Sequence, residues 1–229
     1  MGKNKYRIGI GGGMGPMAGV MLQKLIIENT VATKDQDHIQ VVCFTNPDIP
    51  DRTISLKENN GEAFSSAIVQ SIKVLEKTGV QSILLPCNTS HTRFNEIQNE
   101  SAVPLVNMVQ IMLDKMRKEN VTTFGLLATD GTIAAKVFET DKNLKVILPD
   151  VATQKNVMDT IYKIKSGLYN DPVIRASLNS IVEHLEQQGA ERIVLGCTEL
   201  SLYTSLLTNK NIVDPLVELA KEAVNLGGR

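Results

Sequence analysis

The chain has 229 residues, 42% hydrophobic and only 4% aromatic, with no tryptophan, so it can bury one large core or two smaller ones but offers few stacking platforms. Its 24 basic and 25 acidic side chains give a formal net charge of -1 and are scattered along the chain, which argues against nucleic acid as a partner. No stretch approaches the roughly 18 to 20 apolar residues of a spanning helix, and MGKNKYRIGI runs into a strand-like segment without a signal-peptide core, so a soluble cytoplasmic protein without a membrane partner is expected.

In chain order, short apolar β-rich runs occur at Tyr6 to Ile10, Ile39 to Thr45, Ser82 to Leu85, Thr123 to Leu127, Lys145 to Leu148 and Arg192 to Leu195, with helical-period stretches between them. Strands that are continuously apolar rather than alternating are those buried on both faces, so the pattern predicts an α/β fold with mainly parallel sheets. The chain also repeats itself. RIGIGGGMGP (Arg7 to Pro16) is echoed by TFGLLATDGT (Thr123 to Thr132), and ILLPCNTSH (Ile83 to His91) by IVLGCTEL (Ile193 to Leu200), which sets Gly9 against Gly125 and Cys87 against Cys197. VPLVNMVQIMLDKM and NIVDPLVELAKEAV then match as return strand, polar residue (Asn107 or Asp214) and amphipathic helix. Duplication of one unit predicts two similar Rossmann-like lobes about a pseudo-two-fold axis, with a ligand cleft between the carboxyl ends of their strands. The lobes are expected at residues 1–105 plus 209–229, holding Cys87, and 106–208, holding Cys197.

The three cysteines, Cys43, Cys87 and Cys197, are widely spaced and form no C-x-x-C pair, so neither a disulfide framework nor a metal cluster is expected. Cys43, inside IQVVCFTN, reads as a small buried hydrophobe. Cys87 and Cys197 each end an apolar strand and are followed by helix-starting polar residues, Asn88, Thr89 and Ser90 or Thr198 and Glu199, so both thiols are expected at helix N-termini that lower their pKa. Inverting a stereocentre needs a base on one face and an acid on the other, and two matched thiols suit that exchange of roles. His91, four residues after Cys87, is read either as tuning that thiol or as structural.

At this point IGIGGGMGP, NPDIPDRT (Asn46 to Thr53), PCNTSH (Pro86 to His91), LLATDGT (Leu126 to Thr132), IYKIKSG (Ile161 to Gly167) and GCTEL (Gly196 to Leu200) together resemble the aspartate/glutamate racemase family over nearly the whole chain. The resemblance leans to its aspartate branch. Glutamate racemases of cell-wall synthesis tend to carry an Asp-Ser-Gly turn after the first strand and a histidine after the second Cys-Thr, where this chain has Gly12, Gly13, Met14 and Glu199. The resemblance implies a two-base mechanism on Cys87 and Cys197 without pyridoxal, metal or other cofactor. It implies carboxylate binding by Arg52 and Lys165, in keeping with the bidentate fork of arginine, and a homodimer. Met14, Asn88, Thr89, Thr129, Thr132 and Thr198 are expected around the α-carboxylate and α-ammonium of aspartate, or of glutamate, and Glu199 either binds the ammonium or caps a helix.

Other readings compete. Gly13, Gly15 and Ala18 satisfy a dinucleotide-binding G-x-G-x-x-A, but Pro16 interrupts the turn and no ribose-binding carboxylate ends the second strand. Relatives of the same architecture include hydantoin racemases, maleate isomerases and arylmalonate decarboxylases, against which Arg52 favours a second carboxylate on the substrate. A hydrolase using Cys87 and His91 would leave Cys197 without a role. A non-enzymatic amino-acid-binding protein is the alternative outside enzymes.

Overall fold

Residues 6–228 are described by a computed structural model, and the first five, which open the stretch read above as free of a signal-peptide core, lie outside them. The apolar runs form strands β1 (Arg7–Gly12), β2 (Gln40–Thr45), β3 (Ser82–Leu84), β4 (Leu105–Val106), β5 (Thr123–Leu127), β6 (Lys145–Ile147), β7 (Arg192–Leu195) and β8 (Ile212–Val213). They pair in two four-stranded sheets, β2-β1-β3-β4 and β6-β5-β7-β8, and all pairings are parallel. The fold is therefore α/β, and the two sheets repeat one strand order, as the internal echoes require.

Helices α1 (Pro16–Asn29), α2 (Arg52–Asn59), α3 (Glu62–Glu76), α4 (Phe94–Asn99), α5 (Met108–Lys118), α6 (Asp130–Ala134), α7 (Val151–Lys165), α8 (Pro172–Gln187) and α9 (Pro215–Leu226) connect and follow the strands. Several start where the sequence supplies a cap. Asp51 accepts from the Ile54 amide, Asp150 from Ala152 and Thr153, and Asp171 from Val173 and Ile174 beside a proline at the first helical turn of α8. Among the described residues no helix is long and apolar enough to cross a membrane.

The echo of Gly9 and Gly125 has a packing cause. Each sits within the first strand of its sheet, beside a residue of the neighbouring strand: a Cβ on Gly9 would come within 3.2 Å of Ile83 and Val80, and one on Gly125 within 2.8 Å of Ile193 and 3.0 Å of Leu185. At both places a side chain would crowd the adjoining layer, more tightly at Gly125 than at Gly9.

The chain divides into two compact units, Met1–Met108 with Leu216–Arg229, and Val109–Pro215. The second unit keeps β8, whose ladder with β7 (Ile193 opposite Ile212) carries it past residue 208. Each unit has its own apolar cluster: one around Phe64, Ile68, Leu75, Ile83 and Leu105, the other around Ile161, Leu178, Leu185, Ile193 and Tyr203.

Candidate active site

In the first unit, Met14 follows β1 and Cys87 follows β3, so both stand beyond the carboxyl ends of neighbouring strands, where α/β sheets bind ligands. Met14, Ile49 and Cys87 belong to one apolar cluster. Gly13 takes a φ of 109°, and a Cβ there would lie 2.0 Å from the Asn46 carbonyl oxygen, so packing against the turn after β2 accounts for a glycine in the motif that suggested a dinucleotide.

A helical segment does start just after Cys87, but it is of the tighter 3-10 kind. Thr89–Arg93 is a 3-10 turn, and α4 starts only at Phe94. The reason lies in the Cys87 carbonyl, which accepts from Ser90 Oγ at 2.7 Å and lies 2.9 Å from His91 Nδ1 instead of taking the amide bond that continues an α-helix. His91 Nε2 lies 3.2 Å from the Met108 amide that opens α5, so Nε2 accepts and the proton sits on Nδ1, which donates to Cys87. Burial holds this imidazole down to about 4, against smaller opposing pulls from the backbone of Cys87 and of Val106, and Phe94 stacks on it with centroids 5.4 Å apart. His91 therefore anchors the turn through the backbone of Cys87, by the structural of its two roles.

Asn88 is 2% exposed, and both its Nδ2 and Oδ1 are buried without a hydrogen-bond partner among the described residues. An unpaired buried donor or acceptor costs about 1 to 3 kcal/mol, a cost that a hydrogen-bonding partner at this amide would relieve. Thr89 beside it is buried as well. Arg52 opens α2, which packs against the same turn; it is 7% exposed, and its Nη1 donates to the Ile49 and Pro50 carbonyls at 3.2 and 3.0 Å. Carbonyls rather than a carboxylate hold this cation among the described residues.

In the second unit, Thr129 follows β5 and Cys197 follows β7, again neighbouring strands. Thr129 caps α6 by accepting from the Thr132 amide at 3.3 Å, with the two hydroxyls 3.0 Å apart and both residues buried. Gln154 of α7 pins this turn by donating to the Ala128 carbonyl at 3.0 Å and to Asp130 at 2.8 Å.

Cys197 is followed by buried Thr198 and Glu199 and a 3-10 segment, Leu200–Leu206, so here too the helical segment that starts after the cysteine is 3-10. Cys197 Sγ donates to Glu199 Oε2 at 3.0 Å; Glu199 thus meets the thiol, and its side chain does not cap the segment. The expectation of a lowered pKa fails at Cys197. Burial first, then the Glu199 charge and its hydrogen bond, push this thiol well above its ordinary value, while Lys165 at the end of α7 pulls the other way. Lys165 is half-buried, with Nζ 5.0 Å from the centre of the Tyr162 ring.

Further side chains complete the frame. Tyr203 is fully buried, donates to the Leu168 carbonyl at 2.7 Å and accepts from the Asp171 amide at 2.9 Å, which ties down the loop after Lys165. Asp214, already visible as the echo of Asn107, accepts from Ser201 at 2.8 Å and Thr204 at 2.7 Å and so anchors the segment after Cys197. The structure thus gathers Met14, Arg52, Cys87, Asn88 and Thr89 in one unit, and Thr129, Thr132, Lys165, Cys197, Thr198 and Glu199 in the other.

Residues 12–226 match the model of the family described as Asp/Glu/Hydantoin racemase. Among solved structures, an aspartate racemase of Picrophilus torridus superposes with a TM-score of 0.84 at 28% identity, covering 97% of this chain and 94% of that one. The broad specificity amino-acid racemase RacX of Bacillus subtilis is 27% identical over 227 residues, 95% of this chain and 96% of that protein. A glutamate racemase of a Thermoanaerobacter strain is 27% identical over 158 residues, 66% of this chain but only 58% of its own length.

Proposed function

Because the chain belongs to the Asp/Glu/Hydantoin racemase family, we propose that it is a cofactor-independent racemase of aspartate in which Cys87 and Cys197 act on opposite faces of the α-carbon. The observation that carries this reading is the buried, unpartnered amide of Asn88, next in the chain to one of the two thiols. An α-amino acid matches both of its atoms: the ammonium donates to Oδ1 and the carboxylate accepts from Nδ2. Cys87 takes or gives the α-proton from one side and Cys197 from the other, with the two thiols exchanging roles for the two enantiomers. Such a pair titrates as one unit, so a pH profile reports the pair and not either residue.

Acidic substrates are favoured by Arg52, a buried cation held among the described residues by two carbonyls, whose remaining fork suits the side-chain carboxylate. Lys165, whose charge reaches Cys197, stabilises negative charge developing at the α-carbon. Met14, Thr89, Thr129, Thr132 and Thr198 line the substrate's polar groups, and Glu199 stands at the thiol. The similarity to the Picrophilus torridus aspartate racemase over nearly the full chain supports aspartate. The similarity to RacX, also over nearly the full chain, supports a second reading in which the pocket takes several amino acids. In both readings the protein works as a cytoplasmic homodimer, the common arrangement for a soluble enzyme with free thiols.

Chiral chromatography after incubation with L-aspartate, D-aspartate or L-glutamate, without pyridoxal phosphate, tests the proposal. Interconversion of the aspartate enantiomers is the expected result. Turnover of several amino acids at comparable rates would favour the broader reading, and aspartate binding with an unchanged enantiomer ratio would replace the enzyme by a binding protein.

A further inference from the structure

We infer that Glu199 holds the proton on Cys197, so that in the resting protein Cys197 is the thiol of the pair and Cys87 its thiolate; this rests on the two-thiol reading above. The geometry is specific to one half of the molecule. Cys197 Sγ donates to Glu199 Oε2 at 3.0 Å, with the two residues 6% and 7% exposed. Glu199 stands two residues after Cys197, and the matching place after Cys87 is Thr89, so the duplicated turn carries a carboxylate in one copy and a hydroxyl in the other.

A carboxylate ordinarily loses its proton about four pH units below a thiol, so the single proton between these atoms belongs to sulfur. Ionising the thiol as well would leave two anions side by side out of water, a strongly disfavoured arrangement. The charged groups acting on this thiol are Glu199 from its own turn and Lys165 from α7; Lys165 opposes the effect but is the weaker influence. Since the reaction needs one thiol and one thiolate, the thiolate falls to Cys87.

The Cys87 thiolate takes the α-proton: its S–H forms, the C–H breaks, and the electron pair passes to the α-carbon. The Cys197 S–H then breaks, a C–H forms on the other face, and the electron pair left on sulfur makes a thiolate beside the Glu199 carboxylate. Repulsion there favours the return step, in which Cys197 regains a proton from solvent and Cys87 releases one. An equilibrium constant of one for racemisation keeps kcat/KM equal for the two enantiomers, so the asymmetry is to be sought in the free protein.

The test is alkylation of the protein by iodoacetamide at pH 8, with the rate at each cysteine read by mass spectrometry. Both cysteines are buried, at 5% and 6% exposed, so the wild-type ratio is read beside the change that Glu199→Gln makes in each rate, which reports thiolate content. Cys87 is expected to react at least about tenfold faster than Cys197 in the wild type, and Glu199→Gln to speed Cys197 by about tenfold and so narrow that ratio. Half-buried Cys43 monitors folding in the variant, and the wild-type ratio stands without it. Cys197 reacting as fast as Cys87 in the wild type, or unaltered by Glu199→Gln in a folded variant, would overturn the inference. Alkylation needs no turnover, so a protein that failed to racemise aspartate would refute the function and leave this result to be read by itself.

Discussion

The turns after β3 and β7 share an outline, Cys-Asn-Thr-Ser-His against Cys-Thr-Glu-Leu-Ser, yet different chemistry pins them. In the first, the residue four places after the cysteine is His91, which bridges the Cys87 carbonyl and the Met108 amide. In the second, the residue four places on is Ser201, and the position matching Met108 is Pro215, which has no N–H for an imidazole to accept. Ser201 donates instead to the Asp214 carboxylate. One anchoring problem, fixing a cysteine turn against the start of the next helix, has two solutions. What remains different is the charge at the thiol, with Glu199 beside Cys197 and a hydroxyl residue, Thr89, in the matching place.

The comparison breaks most completely if the two thiols are not partners. Cys87→Ala and Cys197→Ala are each expected to lower aspartate racemisation by at least about a thousandfold, because neither base can serve both faces. Retained turnover in either variant, measured by chiral chromatography, would divide the pair. Arg52→Lys comes next: replacing a bidentate fork by a point charge is expected to cost aspartate roughly 1.5 to 3 kcal/mol, or about ten- to a hundredfold in kcat/KM. An unchanged value would remove Arg52 from substrate binding.

Asn88→Leu separates stability from function. Removing an amide whose two polar atoms are buried without partners is expected to leave Tm unchanged or raise it, while KM for aspartate rises about tenfold. A large fall in Tm would mean that Asn88 is a structural residue. The smallest effect on activity is expected at His91, whose signature is the pH dependence of stability. Its folded pKa, near 4, lies below the unfolded value, so the unfolded chain binds the extra proton between pH 6.5 and 4. Stability is therefore whole above pH 6.5 and falls by about 3 kcal/mol as pH drops towards 4. His91→Asn is expected to flatten that part of the profile, read by denaturant titration across the pH range.

Much of the fold was legible because the central strands, buried on both faces, write themselves as uninterrupted apolar runs, and because Gly9 and Gly125 recur where a neighbouring layer packs tightly against the strand. The two cysteine turns were legible as an echo. Their local geometry was not: whether Asn88 to His91 winds as an α-helix or a 3-10 turn depends on the Cys87 carbonyl taking side-chain donors, one of which is tied in turn to an amide at position 108. Glu199 was visible as a residue of the site but not as the partner of a sulfur, since two residues of separation along a turn do not say which way a carboxylate swings. Tyr203 and Gln154 carried no motif, and their roles follow from loops distant in the chain that fold over them.

The most direct test of two opposed bases is the fate of solvent deuterium when L-aspartate is incubated with the protein in heavy water and stopped early. Two thiols on opposite faces are expected to place deuterium at the α-carbon of the D-aspartate formed, while the recovered L-aspartate keeps its hydrogen. Deuterium entering recovered L-aspartate as fast as D-aspartate forms would mean that one base serves both faces, and would contradict the account.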